Sequence, residues 1–232
     1  MGYINVKIAG GNRFLENSKE PKEGFYTNNW EFGDKTGTNY KREHKVIKGT
    51  LNRIALTETP FTPNIELLNI SVKYGEDIYS LDIELNSKNG DCLNDWVTSL
   101  GPFYENLVPG MDFELNLNTT SMQESKDGKK YPNKWAYIKS NGVALAQSYT
   151  RDDCPKWEKL ETTNRSGNVT KKLDKTKADD FVFERLKATV LRFEEERNGS
   201  TATNTSSQAP TTAVKTVQAV VIEDVDDGEL PF

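Results

Sequence analysis

Aromatic and basic side chains are interleaved in three stretches of the chain, residues 25–53, 126–139 and 149–159. This mixture suits an extended polyanion that carries flat bases, because cations hold phosphate groups and rings stack on bases of any sequence. Each stacked base contributes about 1–3 kcal/mol. We therefore predict a surface for a single-stranded nucleic acid, made of Trp30, Phe32, Tyr40, Lys41, Arg42, Lys45, Lys48, Arg53, Lys129, Lys130, Tyr131, Lys134, Trp135, Tyr137 and Trp157.

Any single ring in this set could equally belong to a hydrophobic core, so the prediction depends on the surroundings of the rings. Trp30 and Trp157 lie in polar stretches without apolar periodicity, which favours exposure. Trp135 lies beside apolar residues, and its sequence favours neither position. Trp96 and Phe193 lie on apolar stripes with helical spacing, so we expect them in the core.

The distribution of charge agrees with a cationic surface. The net charge is −5, but the last eleven residues hold five acids and no base, so the other residues are neutral. Residues 1–57 carry ten basic and six acidic residues. Residues 58–123 carry two basic and eleven acidic residues, and residues 124–172 carry eleven basic and six acidic residues. If the fold brings the two basic segments together, one face becomes cationic.

Enzymatic chemistry has weaker support in the sequence. His44 is the only histidine, and no Ser or Cys has a recognisable base near it. With two cysteines, the chain cannot build an ordinary zinc site without carboxylates. Asp34 with Glu43 and Lys45, or Asp82 with Glu84, could hold a nuclease metal, but such patterns arise often by chance among 35 acids. We predict no catalytic residue, cofactor or metal, and keep a metal-dependent nuclease as the less favoured hypothesis.

The elements that must position these side chains are mainly β-strands. Strands are predicted at residues 3–8, 44–56, 65–74, 78–85, 111–117, 135–139 and 143–149, with a bulge near Gly49 in the second. A short helix is predicted from Asp91 to about Leu100, and a C-terminal helix is predicted from Ala178 to Arg197. This order predicts an OB-fold-like barrel of about five to six strands with a helix between its third and fourth strands. A β-sandwich is the main competing architecture.

The chain divides into three parts by composition. Residues 1–197 are predicted to form the folded body. Residues 198–221 form a linker of low hydrophobicity, predicted to be disordered, and residues 222–232 form an acidic tail. No signal peptide and no apolar run of roughly 20 residues is recognisable, so we expect a cytoplasmic protein.

The tail ends in Asp226-Asp227-Gly228-Glu229-Leu230-Pro231-Phe232. Its acids favour an extended, hydrated segment, and Phe232 offers a ring and a carboxylate to a partner with an apolar pocket and a basic rim. The tail resembles the C-terminal peptide of bacterial single-stranded DNA-binding proteins, which ends in acids, an aliphatic residue, Pro and Phe. The resemblance covers about ten residues in sequence, together with the order of body, linker and tail.

This resemblance implies an OB-fold body, sequence-independent binding of single-stranded DNA, and a role in DNA replication, recombination or repair. It also implies recruitment of replication or repair proteins through Asp226, Asp227, Glu229, Leu230, Pro231 and Phe232. The body is longer and the linker shorter than in the bacterial proteins, so the chain most resembles a divergent, bacteriophage-type member of the family. We therefore expect the protein in the cytoplasm of a bacterial cell or of a phage-infected bacterial cell. A replication adaptor that does not bind DNA, and a protein whose ligand is RNA, are also compatible with the sequence.

Overall fold

The computed structural model describes residues 2–9, 12–58, 66–87, 90, 92–124, 130–163 and 169–202. The described strands are β1 (Tyr3–Ala9), β2 (Arg13–Ser18), β3 (Tyr26–Phe32), β4 (Lys35–His44), β5 (Val46–Glu58), β6 (Glu66–Tyr74), β7 (Asp77–Glu84), β8 (Asp112–Glu124), β9 (Lys130–Ser140), β10 (Val143–Ala144), β11 (Glu158–Thr163) and β12 (Val169–Asp174). The helices are α1 (Asp95–Leu100), a 3-10 helix (Gly101–Asn106) and α2 (Thr176–Ala202).

Ten of the strands form one mixed sheet in the order β10-β9-β8-β5-β6-β7-β1-β2-β4-β3. All its ladders are antiparallel except the parallel pair of β1 and β7. The strands β11 and β12 form a separate antiparallel pair. The mainly β class and the two helices are thus confirmed.

The predicted barrel of five to six strands is not confirmed, because no ladder of the described residues closes the ten-stranded sheet. A five-stranded barrel built from β5 to β9 would need β7 to pair with β9. The free edge of β7 is instead taken by β1, and the free edge of β9 is taken by the short strand β10. The strand β1, predicted at residues 3–8, therefore joins the sheet beside β7, and the strands β2 to β4, which were not predicted, extend the sheet further.

The long strand β5 links the two halves of the sheet because it pairs with β8 through its first residues and with β6 through the rest. Its register against β6 shifts between Leu51 and Arg53. Gly49 has a φ of +148°, and a Cβ atom there would lie 2.2 Å from the backbone oxygen of Lys73. The bulge predicted near Gly49 is therefore present, a few residues further along the strand.

One face of the sheet, called here the inner face, packs against the helices and forms the core. Alternate residues of β6, β7 and β8, such as Ile70, Leu81 and Leu115, are buried on it. The helix α1 contributes Val97, and α2 contributes Leu186. Burying such side chains stabilises the fold by about 1.5–3 kcal/mol each. The face opposite the core is called the outer face.

Two helix ends differ from the sequence prediction. The cap of α1 is Asn94, whose side-chain oxygen accepts a hydrogen bond from the backbone N–H of Trp96 at 3.0 Å. The predicted cap, Asp91, lies outside the described residues. The helix α2 continues to Ala202, five residues beyond its predicted end at Arg197. No helix in the described part of the chain has the length and apolar character needed to cross a membrane.

Candidate nucleic-acid interface

Exposed rings line the outer face of β3, the edge strand of the large sheet. Trp30 is 42% exposed and Phe32 is 81% exposed, and Tyr26 on the same strand is also exposed. These three residues alternate with polar ones, so they share one side of β3. Two residues along a strand advance by about 6.6 Å, which allows neighbouring rings to take separate bases.

The indole of Trp30 covers Gly37, its register partner on β4. A Cβ atom at Gly37 would lie 2.5–2.9 Å from three atoms of the indole. The absence of a side chain at Gly37 is therefore what allows the ring to lie across β4. This contact holds the ring in place and leaves its other side open to solvent.

We expect Gly37→Ala to displace the Trp30 ring and weaken oligo-dT binding by about tenfold, the equivalent of one lost stacking contact. Tryptophan quenching on titration with oligo-dT measures the change. Thr36→Ala, at the neighbouring exposed position on the other face of β4, is the matched control and should bind like the parent protein. Equal affinity of the two variants would contradict the role of Gly37.

Basic residues flank these rings on the same face. Lys35 pairs in register with Phe32, and Lys41 pairs with Tyr26. Arg13 and Glu43 form an ion pair beside them, and the Tyr26 hydroxyl donates to Glu43 at 3.2 Å. The hydrogen bond from Arg13 holds the pKa of the Glu43 carboxyl below its ordinary value, so this acid is charged at neutral pH.

Tyr40, Arg42 and His44 lie on the inner face of β4, because His44 pairs in register with the buried Phe14 and residues alternate along the strand. The Arg42 guanidinium donates from Nε and Nη2 to Glu16 Oε2 at 3.0 and 2.7 Å. His44 Nε2 lies 3.0 Å from the same oxygen. The structure thus separates Arg42 and Tyr40 from Lys41, although the sequence predicts one site.

A second cluster lies on β9, near the other end of the sheet. Trp135, which is 39% exposed, and Tyr137 have ring centroids 5.5 Å apart. Lys139 follows on the same side of the strand, and its Nζ lies 3.2 Å from Glu114 Oε1 on β8. Glu114 is also the register partner of Lys48 on β5. Two rings thus lie on this side of β9, and two lysines lie near one acid, Glu114.

The pKa of the Glu114 carboxyl is lowered by hydrogen bonds from Asn116 and Lys139 and by the nearby charge of Lys48. This carboxylate therefore neutralises cations that would otherwise attract phosphates. We expect Glu114→Gln to tighten oligo-dT binding by about twofold to fivefold at low salt, the range for one exposed charge pair. The effect should shrink as salt rises. Fluorescence titration at two salt concentrations measures it, and weaker binding by the variant would contradict it.

Both clusters lie on the outer face of the same sheet. Register pairs share a face, and pairs such as Lys48 with Glu114, Arg53 with Ser71 and Asn5 with Ser80 connect β9 to β4 along it. Eight strand spacings separate β9 from β3, which is about 38 Å along the surface. No ladder in the described residues joins the two clusters directly.

The other predicted residues are placed as follows. Lys45 and Lys48 are exposed, and Arg53 is half-buried. The Nζ of Lys134 lies 3.6 Å from Asp95 Oδ2 and 5.8 Å from the ring centroid of Trp96, beside α1. Trp157 is exposed just before β11. The side chains of Lys130 and Tyr131, and the whole of Lys129 and of the tail residues 226–232, lie outside the described part.

Sequence reasoning missed two parts of this surface. It did not select Gly37, whose importance arises only from the register of β3 against β4. It also did not select Glu114, although the strict alternation of residues 111–117 indicates which side chains of that strand point away from the core. The described residues contain no group of three or more His, Cys, Asp or Glu side chains that could hold a metal ion.

Comparisons with protein-family models, curated proteins and solved structures found no match for this chain.

Proposed function

We propose that this chain is a non-enzymatic protein that binds single-stranded DNA without sequence preference on the outer face of its large sheet. The observation that carries the proposal is the set of exposed rings on that face: Trp30 and Phe32 on β3, and Trp135 on β9. A patch of exposed apolar side chains rimmed by polar residues marks an interaction surface or a ligand groove. Lysines beside each cluster supply the cations that a phosphate backbone needs.

The order of the strands supports the finer part of the proposal, an OB-type body. The five strands β9-β8-β5-β6-β7 are neighbours in the sheet, and α1 lies between the third and the fourth of them in chain order. OB folds are partly open five-stranded barrels, and their ligands are oligonucleotides or oligosaccharides. In this proposal β1 to β4 extend the sheet and add the ring-bearing edge strand β3.

The first test is a titration of tryptophan fluorescence with oligo-dT and with duplex of equal length, at about 50 mM and about 200 mM salt. Base stacking on Trp30 and Trp135 should quench the emission with the single strand alone, and salt should weaken the binding. No response to oligo-dT would overturn the proposal and leave a replication adaptor that acts through its tail. Stronger quenching by oligo-U than by oligo-dT would select RNA as the ligand.

The distance between the two clusters predicts the length of DNA that binds best. At the stacked spacing of 3.4 Å a strand crosses about 38 Å in about 11 nucleotides, and an extended strand needs fewer. Affinity should therefore rise steeply between oligo-dT of about 4 and about 12 nucleotides, because only the longer strand contacts both clusters. If the affinity instead rises only in proportion to the number of positions at which one cluster can bind along the oligonucleotide, the two clusters act separately.

We further propose that the acidic tail recruits replication or repair proteins and competes weakly with DNA for the cationic face. Removing residues 223–232 eliminates five acids and should tighten oligo-dT binding at low salt. The gain should disappear at high salt because the competition is electrostatic. Unchanged or weaker DNA binding by the shortened chain would contradict this competition.

A further inference from the structure

The strands β11 and β12 form an arm, defined here as residues 156–163 and 169–175, that is separate from the large sheet. Six register pairs join the two strands, from Glu158 with Asp174 to Thr163 with Val169. No ladder among the described residues connects the arm to the ten-stranded sheet. The arm lies between the body and α2 in the chain, since α2 begins at Thr176.

The base of the arm is held at both of its strands. The Nζ of Lys175 lies 4.5 Å from the ring centroid of Trp157, so the two ends of the arm contact each other. Lys177 on α2 forms an ion pair with Glu158. Asp174 Oδ1 accepts hydrogen bonds from the backbone N–H and the hydroxyl of Thr176, where α2 begins. These contacts orient the arm relative to α2.

The rest of the arm has the properties of a ribbon that contacts another molecule. A two-stranded hairpin alone is marginally stable in water. Leu160, Val169 and Leu173 on its strands are exposed, so they belong to no core built by the described residues. By sequence the arm also carries five basic and three acidic residues, whereas the whole chain has a net charge of −5. A basic ribbon with exposed apolar side chains is complementary to a polyanion.

We propose that the arm binds the duplex DNA that adjoins a bound single strand, an inference that rests on the proposed function. Two strands about 4.8 Å apart form a ribbon that the major groove, about 12 Å wide, can admit. Both strands contain a lysine in their sequence, Lys159 in β11 and Lys172 in β12, and a lysine is the residue type that phosphates beside the groove attract. Only one ring, Trp157, lies in the arm, whereas stacking a single strand needs a row of rings.

The test compares three DNA probes by fluorescence anisotropy: oligo-dT, blunt duplex, and duplex with an oligo-dT overhang. The parent protein should bind the overhang duplex at least about threefold more tightly than oligo-dT of the overhang's length, because the arm adds a second contact to the same molecule. Lys159→Glu should remove this advantage and leave the affinity for oligo-dT within about twofold. Lys187→Glu, the same change of charge on α2, is the matched control and should keep the advantage.

Three results would overturn the proposal: no advantage of the overhang duplex for the parent protein, equal losses in Lys159→Glu and Lys187→Glu, or a loss for oligo-dT alone in Lys159→Glu. The last would assign the arm to the single-strand surface. Failure of the proposed function itself is distinguishable, because the parent protein would then not bind oligo-dT. Circular dichroism of both variants checks that they fold, as Lys159 is exposed.

Discussion

The double substitution Trp30→Ala and Phe32→Ala is expected to weaken oligo-dT binding at least about thirtyfold. Each ring should contribute about 1–3 kcal/mol by stacking on a base, so losing two rings costs about 2–6 kcal/mol of binding free energy. Both side chains are exposed, so the melting temperature should stay unchanged. Anisotropy titration of labelled oligo-dT measures the affinity without depending on the tryptophan that has been removed.

Tyr74→Ala is the matched control for this prediction. Tyr74 is another exposed ring, at the end of β6 beside the turn into β7. By alternation it lies on the inner side of the strand, with Val72. The control variant should bind oligo-dT like the parent protein. Comparable losses in both variants would show that exposed rings act through general surface properties, and that β3 is no specific stacking surface.

Arg42→Ala is expected to lower stability by about 3 kcal/mol, because it leaves the carboxylate of Glu16 buried without its main partner. Glu16 is only 3% exposed and accepts both of the Arg42 hydrogen bonds. For a chain of this size the loss corresponds to roughly 6–12 °C in melting temperature. Thermal unfolding followed by circular dichroism measures it.

The neighbouring substitution Lys41→Ala should give the opposite result. Lys41 is on the outer face, beside Tyr26, so its loss should weaken DNA binding by about 0.5–1 kcal/mol and leave the melting temperature unchanged. Oligo-dT affinities are compared at a temperature where both variants are folded. A larger loss of affinity for Arg42→Ala than for Lys41→Ala would place Arg42 in the DNA interface, as the sequence alone predicts, and contradict its structural role.

Most of the strands that contribute to the core were predictable from the sequence, because one face of each is apolar; β2, which contributes Phe14, is the exception. The alternation of residues 111–117 predicted β8, and the two β-rich runs around Gly75 predicted the hairpin of β6 and β7. The strands β2, β3, β4, β11 and β12 were not predicted. Both faces of β3 are largely exposed, and the polar Asn28 interrupts the side that carries Tyr26, Trp30 and Phe32, so the sequence shows no continuous apolar alternation for this strand.

Whether the sheet closes into a barrel could not be predicted from the sequence, because local patterns do not show which strands pair. Periodicity identifies strands and their buried faces, but the pairing partner of each edge depends on segments far away in the chain. The N-terminal strand β1 pairs with the edge of β7, and no local pattern in either strand predicts this parallel pair. The sequence therefore predicted the strands β1 and β5 to β9 and the mid-chain helix, but not how the sheet is completed.

By itself the sequence determined the mainly β character, the core strands, the two helices and the mixture of rings and cations that suggests a polyanion. These properties depend on local composition and on periods of two or 3.6 residues. The tertiary structure decided which of those rings and cations share a face. Lys41 and Arg42 are neighbours in sequence but lie on opposite sides of β4, and Trp30 and Trp135 are far apart in sequence but lie on one face. Register between distant strands sets these positions, and a shift of one residue would reverse them.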